Sequence, residues 1–140
     1  MRTQDYDEES ILFRYVWRHC RNLMTDLERR TDRAAGVRSK ALASRSMGND
    51  NLARKLLDGW GCVGDPAVES ELQGGLDAFR QRVVFRLLAD PRCQALINRC
   101  PRCRRVVATP QARQCLWCGF DWHESVAPPG AGAAAGGPRE

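Results

Sequence analysis

Apolar residues recur every three or four positions near the start of the chain. This spacing predicts an amphipathic helix over about residues 8–33, with one face available for packing against other elements. The stripe is made by Leu12, Val16, Cys20, Leu23 and Leu27. Gly36 is expected to interrupt this helix, and the alanine-rich segment 37–47 predicts a weaker second helix.

A polar break follows at Gly48-Asn49-Asp50. Either Asn49 or Asp50 could accept backbone N–H groups as the N-cap of a short helix that continues through Leu57. Glycines at positions 59, 61 and 64 then predict a loop.

Two further helix starts are marked by an aspartate followed by proline. Asp65-Pro66 predicts a helix with one apolar face that continues to Leu87, and the glycine pair 74–75 is expected to bend it. Asp90-Pro91 opens a last short helix that reaches about residue 98. Together these patterns predict a three- or four-helix bundle over residues 1–97.

The end of the chain has a different composition. Residues 124–140 are mainly Pro, Gly and Ala, with almost no side chain able to contribute to a core. Such composition predicts a disordered tail. Over the whole chain, 43% hydrophobic residues among 140 allow a modest core.

Four cysteines lie in two close pairs between the predicted bundle and the tail: Cys100-Pro-Arg-Cys103 and Cys115-Leu-Trp-Cys118. Two Cys-x-x-Cys pairs separated by a short hairpin can present four thiolates tetrahedrally, the arrangement that Zn²⁺ prefers. Because protein would fill all four positions, the spacing predicts one structural zinc ion with no coordination site for substrate.

The residues around the cysteines favour short strands. Val106-Val107 and Arg113-Gln114 predict two strands joined by a turn at 109–111, and residues 119–123 predict a third. Pro101 suits the first cysteine turn, and Gly119 permits a left-handed backbone after the second.

With these paired cysteines, residues 98–123 resemble the zinc-ribbon (rubredoxin-knuckle) family. The resemblance implies a small zinc-bearing sheet, so the predicted fold class is α+β: a mainly helical N-terminal bundle, a C-terminal four-cysteine zinc ribbon and the tail. Since the last predicted helix leads directly into Cys100, we expect the ribbon to pack on the bundle.

Other interpretations of the cysteines stay open. Four thiolates also suit iron, which would make the segment a rubredoxin-like electron carrier. A redox dithiol is a third interpretation, although the βαβ pattern expected around such a motif is absent from the sequence. Cys93 and His123 are weaker ligand candidates, because four cysteines already complete the shell.

Positive charge is concentrated on the cysteine-rich segment, since residues 92–123 contain six arginines and one acid, Asp121. The arginines near the cysteines and one aromatic ring could contact nucleic acid through phosphate pairing and base stacking. These candidate contacts are Arg99, Arg102, Arg104, Arg105, Arg113 and Trp117. Trp117 is expected to be exposed, whereas Phe120 and Trp122 are expected to support the small core. A merely solvated charged face is the simpler alternative.

No catalytic constellation is visible in the sequence, because its two histidines, His19 and His123, lie far apart and accompany no nucleophile motif. The predicted function is therefore a non-catalytic zinc-binding protein that binds nucleic acid. A protein–protein adapter with a purely structural zinc site is the first alternative, and a rubredoxin-like or thiol redox protein is the second. The acidic N-terminus and the lack of a long apolar run predict a cytoplasmic protein with no membrane partner, and no small-molecule substrate is evident.

Overall fold

The computed structural model describes residues 5–124 and contains six α-helices in that range. They are α1 (Glu8–His19), α2 (Asp26–Ser46), α3 (Asp50–Trp60), α4 (Pro66–Glu71), α5 (Leu76–Leu88) and α6 (Pro91–Leu96). A single 3₁₀ turn (Arg21–Leu23) joins α1 to α2. No helix in the described part of the chain is both long and apolar enough to cross a membrane.

The first apolar stripe forms two helices, so the prediction of one helix over residues 8–33 is wrong. α1 ends at His19, and α2 starts again at a capping box: the Thr25 hydroxyl accepts the N–H of Glu28 at 3.1 Å, and the Glu28 carboxylate accepts the N–H of Thr25 at 2.8 Å. This reciprocal pair satisfies two N–H groups that a helix start leaves unpaired. α2 then continues past Gly36, because one glycine costs only about 1 kcal/mol relative to alanine.

The later start signals are confirmed. The Asn49 side chain accepts the Leu52 N–H, and Asp65 and Asp90 cap α4 and α6 in the same way. The expected bend at the glycine pair is instead a complete break, since Gly75 adopts a φ of 96° between α4 and α5. Only glycine adopts this backbone conformation readily, so the chain changes direction there.

The main helical core lies where α1 packs against α5 and where α5 turns into α6. Phe79 and Leu87 of α5 lie inside it, and the Trp17 ring of α1 meets the Phe79 ring edge to face at 6.5 Å. The core consists of Val16, Cys20, Met24, Phe79, Val83, Val84, Leu87 and Cys93. We name this set the helical core.

α2 and α3 form a hairpin that packs mainly through small side chains, with Ala41 and Ala53 buried. Arg38 of α2 joins this hairpin to the following loop. Its guanidinium donates to the Gly61 carbonyl at 2.8 Å and to the Cys62 carbonyl at 3.1 Å, and it pairs with Glu69 of α4. These bonds satisfy carbonyl groups at the end of α3.

The predicted α+β class is wrong, because residues 5–124 contain no strand or sheet. The cysteine-rich segment has only two isolated antiparallel bridges, Arg99 with Val106 and Gln114 with Asp121. Each bridge joins residues seven positions apart, so the chain turns back at the cysteines before a ladder can extend. The described part of the protein is therefore helical, followed by irregular turns. The tail predicted from residue 124 falls outside the described residues except for Glu124.

Candidate metal centre

The four cysteines that were predicted as metal ligands come together in one cluster. All four Sγ atoms lie within 4.8 Å of one another, and this group could hold a metal ion. Across the two pairs, Cys100 Sγ lies 3.7 Å from Cys118 Sγ, and Cys103 Sγ lies 3.6 Å from Cys115 Sγ. These cysteines are free thiols and form no disulfide.

Two knuckles, residues 100–105 and 115–120, build the cluster with the same backbone pattern. In the first, the Cys100 N–H donates to the Arg105 carbonyl, and the Arg104 N–H donates to the Cys100 carbonyl, both at 2.9 Å. In the second knuckle, fifteen residues later, the Cys115 N–H donates to the Phe120 carbonyl at 2.8 Å, and the Gly119 N–H donates to the Cys115 carbonyl at 3.0 Å. The isolated bridges also lie at equivalent positions. The segment is therefore a structural repeat, and each of its two copies contains one Cys-x-x-Cys pair.

Backbone N–H groups point at the first sulfur of each knuckle. The Arg102 and Cys103 N–H groups donate to Cys100 Sγ at 3.4 and 3.5 Å, and those of Trp117 and Cys118 donate to Cys115 Sγ at 3.3 and 3.4 Å. Donors aimed at a sulfur stabilise its thiolate form. Each knuckle thus directs two N–H donors at the sulfur of its first cysteine.

The pKa values of the first and second thiols of the first knuckle, Cys100 and Cys103, differ. Burial alone would raise the pKa of Cys100, but the N–H groups of Cys103 and Arg102 lower that pKa to about 7. Burial raises the pKa of Cys103 to about 12, and its contacts with the neighbouring thiols act in the same direction. Adjacent thiols resist simultaneous ionisation because their negative charges repel. A bound cation would offset this repulsion.

The residue after the second cysteine differs between the knuckles. Arg104 and Gly119 occupy equivalent positions and have φ values of 67° and 79°. A left-handed backbone costs a residue with a Cβ about 1–2 kcal/mol. The first knuckle therefore contains a strained arginine where the second has an unstrained glycine.

We expect the Arg104→Gly variant to be more stable than the parent by about 0.5–1 kcal/mol, since relief of strain exceeds the added entropy of the unfolded chain. Gly119→Ala should be destabilised by about 1–2 kcal/mol for the opposite reason. Urea unfolding of both variants at fixed metal content would measure these changes. Equal effects of the same sign would show that the two turns are not equivalent.

The segment preceding α1 and the first turn of that helix brace the knuckles. The Tyr6 hydroxyl accepts the Val106 N–H at 2.9 Å and donates to Glu8 at 3.0 Å, and the Tyr6 ring lies edge-on to Trp117 at 5.0 Å. Glu8 also pairs with Arg99 at 2.7 Å, and the hydrogen bond from Arg99 lowers the Glu8 pKa. The predicted packing of the cysteine-rich segment on the helices is thus seen in these contacts.

A second anchor lies before the first knuckle. The Tyr15 hydroxyl of α1 donates to the Leu96 carbonyl and accepts the Asn98 N–H at 3.2 Å. Burial raises the pKa of Tyr15 to about 12, which keeps this hydroxyl protonated. The Asn98 amide in turn donates to the Thr109 carbonyl at 3.0 Å and the Ala112 carbonyl at 2.7 Å. Asn98 therefore fixes the loop between the knuckles.

Four of the five predicted contact arginines have no ion-pair partner among the described residues. Arg99 is paired with Glu8, whereas the other four, Arg102, Arg104, Arg105 and Arg113, form no ion pair with a described carboxylate. Arg105 stacks on Tyr6 at 5.3 Å, and Arg102 lies 6.0 Å from the Phe120 ring centre. By contrast, most arginines of the helical bundle pair with carboxylates.

The expectation that Trp117 is exposed is wrong. Its side chain is only 9% exposed, and its indole N–H donates to the Val106 carbonyl at 3.1 Å. Trp117 therefore contributes to the small core around the cysteines, together with the buried Trp122. Trp117 lies two residues after the buried Cys115, and the turn of the knuckle directs its ring towards Tyr6 instead of solvent.

The two weaker ligand candidates lie apart from the cluster. Cys93 is buried in the helical core beside Cys20, and His123 Nδ1 lies 2.6 Å from an Asp121 oxygen. Sequence reasoning also missed a groove of about 440 Å³ between α1 and the knuckles, lined in part by Arg14, Arg18 and Leu116. Only the packing of α1 on the cysteine-rich segment creates it.

A search of protein-family models, curated proteins and solved structures found no match to this chain. Its likeness to zinc ribbons extends to the paired cysteines and does not extend to a sheet. The functional argument therefore depends on the chemistry of the site.

Proposed function

We propose that the four cysteines bind one structural Zn²⁺ ion and that the protein is a non-catalytic binding module. Four sulfurs at about 2.3 Å from a tetrahedral zinc ion lie about 3.8 Å from one another. The distances of 3.6 and 3.7 Å between the knuckles are close to this spacing and support the proposal. Protein ligands would complete the shell, so the ion would hold the knuckles together without offering a site for reaction.

Nucleic acid is the partner that we propose. The support is the set of mostly exposed arginines on and between the knuckles that form no ion pair, because guanidinium groups without protein carboxylates remain available to phosphates. Three of them, Arg102, Arg104 and Arg105, are exposed on the first knuckle. With Trp117 buried, contacts to the phosphate backbone would dominate over base stacking, so we expect little sequence preference.

The triple variant Arg102→Ala, Arg104→Ala and Arg105→Ala tests this role. We expect its affinity for generic DNA or RNA to fall at least tenfold, and the slope of log affinity against log salt to shrink by up to about 3. Fluorescence anisotropy at several salt concentrations would measure both quantities, with zinc content verified in each sample.

A matched control removes the same charge elsewhere. Arg45, Arg54 and Lys55 are exposed on the α2–α3 hairpin, and none of them has an ion-pair partner among residues 5–124. Replacing these three with alanine should leave most of the binding intact. If both triple variants lose affinity equally, the effect reflects net charge; if neither does, the nucleic-acid proposal fails while the zinc proposal stands.

An adapter role is the second candidate, supported by apolar side chains on the α2–α3 hairpin. Met47 is 88% exposed, and Leu42 and Leu52 are also exposed. Exposed apolar groups of this kind favour contact with another protein. The adapter role predicts a co-purifying protein that is lost on Leu42→Ser with Met47→Ser and retained in the arginine triple variant.

Identifying the bound metal distinguishes the zinc proposal from the iron alternative. We expect elemental analysis to give one zinc per chain in a colourless preparation. A red preparation with thiolate-to-iron absorption would instead support the rubredoxin-like alternative.

A further inference from the structure

Two cysteines outside the metal centre meet inside the helical core. The Sγ atoms of Cys20 and Cys93 lie 3.1 Å apart, although the residues are separated by 73 positions in the chain. Both side chains are 0% exposed. Cys20 follows the last residue of α1, and Cys93 lies in α6. Tertiary packing alone brings them together.

The distance between Cys20 Sγ and Cys93 Sγ is shorter than the distances between sulfurs in the metal centre, which are 3.6 and 3.7 Å. The Cys93 thiol is placed to donate to Cys20 Sγ. Closing the remaining gap to a bonded S–S distance of about 2 Å requires a displacement of only about 1 Å. The pair is therefore positioned for covalent bond formation.

We propose that Cys20 and Cys93 are a redox modification site that forms an intramolecular disulfide under peroxide. One thiolate attacks a peroxide oxygen, the O–O bond breaks, and a sulfenic acid and one water are produced. The second sulfur then attacks the sulfenic sulfur, the S–S bond forms, and the oxygen leaves as the second water. Two thiols are thereby oxidised, and one hydrogen peroxide is reduced to two waters.

Burial determines how fast this happens. Burial is the main factor that raises the pKa of Cys20 to about 12, so few thiolates exist at neutral pH. The peroxide also needs a path into the core, and Cys93 lies in α6, a helix of only six residues. We expect reaction through local opening at α6, more slowly than at the partly exposed Cys62.

The disulfide would tie the end of α1 to the element that leads into the first knuckle. α6 is followed within four residues by Cys100, and Tyr15 already holds this connection through Leu96 and Asn98. A cross-link here closes a loop that contains α2 to α5. The oxidised protein should therefore melt at a temperature several degrees higher than the reduced protein.

Peptide mapping tests the proposal on the full chain in its metal-loaded form. The protein is treated with hydrogen peroxide, free thiols are blocked, and the sample is digested with trypsin. Cleavage after arginine yields residues 19–21 with Cys20 and residues 93–99 with Cys93. We expect these two peptides to appear joined, with the loss of two hydrogens, and to separate on reduction.

Cys62→Ser is the matched control and should give the same joined peptide, whereas Cys20→Ser and Cys93→Ser should not. Detection of the joined peptide in the parent and in the Cys62→Ser variant supports the proposal even if the other variants fold poorly. Cys20 and Cys93 that remain blocked and unjoined after prolonged peroxide exposure, well beyond the time at which Cys62 is fully oxidised, would overturn it. Oxidation of Cys20 or Cys93 by itself to a sulfinic acid would also overturn the proposal.

Discussion

The Cys115→Ser variant is expected to lose stoichiometric metal binding. Cys115 is a buried member of the cluster and accepts two backbone N–H groups. A serine hydroxyl is a harder ligand, and it does not ionise near neutral pH as a metal-bound thiol does. We expect zinc affinity to fall at least 100-fold, because structural zinc sites contribute on the order of 10 kcal/mol through all their ligands together.

The loss should be local. The small core around the cysteines and the helical core are separate sets of buried residues. Near-ultraviolet circular dichroism, which reports on Trp117 and Trp122, should therefore change strongly in the variant, while far-ultraviolet helical signal is largely retained. Removal of the metal from the parent protein with a chelator should produce the same pattern.

Cys62→Ser provides the control for this experiment, since Cys62 lies outside the cluster and is partly exposed. It should bind one equivalent of zinc with unchanged affinity in a chelator competition. Retention of full zinc affinity by Cys115→Ser would contradict the proposed ligand set.

Phe79→Ala is expected to have the largest effect on the stability of the helices. The Phe79 side chain is 0% exposed and meets Trp17 at the contact between α1 and α5. Truncation removes apolar contacts and leaves a cavity that the packed helices can fill only in part. We expect a loss of about 3–5 kcal/mol in the free energy of unfolding.

Phe85→Ala is a matched control in the same helix, because Phe85 is 80% exposed. Its truncation should change the free energy of unfolding by no more than about 0.5 kcal/mol. Urea unfolding followed by far-ultraviolet circular dichroism, at fixed zinc concentration, would compare the two. Similar losses in both variants would contradict the assignment of the helical core.

Acid should weaken one contact that supports this core. Glu28 is largely shielded from solvent and receives two hydrogen bonds from the Arg86 guanidinium. Burial tends to raise the pKa of Glu28, but the bonds from Arg86 and Thr25 exceed that effect and lower it. The pKa of Glu28 is lower in the folded state than in the unfolded chain. The stabilisation from its bonds is therefore fully present at pH values above the unfolded-state pKa, and it is lost as the pH falls through the folded-state pKa.

Local signals in the sequence were sufficient for the starts of α3, α4 and α6 and for the members of the cysteine cluster. Asn49, Asp65 and Asp90 cap helices as predicted, because a cap depends on a side chain and N–H groups only two or three residues away. The cysteine spacing is equally local, since each knuckle closes through bonds within five residues.

Helix ends were less predictable, because apolar periodicity continues across a break. The stripe from Leu12 to Leu27 crosses the end of α1 without interruption, and only the capping box at Thr25 marks the restart. The prediction of strands was wrong for a related reason, because residue preference along the chain does not determine whether strands pair. β-branched residues such as Val106 and Val107 favour extended backbone, yet here both are buried and Val106 forms only an isolated bridge with Arg99, so no ladder extends.

The sequence by itself determined where α3, α4 and α6 begin and which four thiols form the candidate metal site, since both depend on neighbours along the chain. Only the tertiary structure decided that Tyr6 braces Trp117, that Asn98 holds the loop between the knuckles, and that Cys20 meets Cys93. These contacts join residues that periodicity and spacing do not relate. The first and third of these contacts arise because α1, which Tyr6 precedes and Cys20 follows, packs at the same time on α5 and on the cysteine-rich segment.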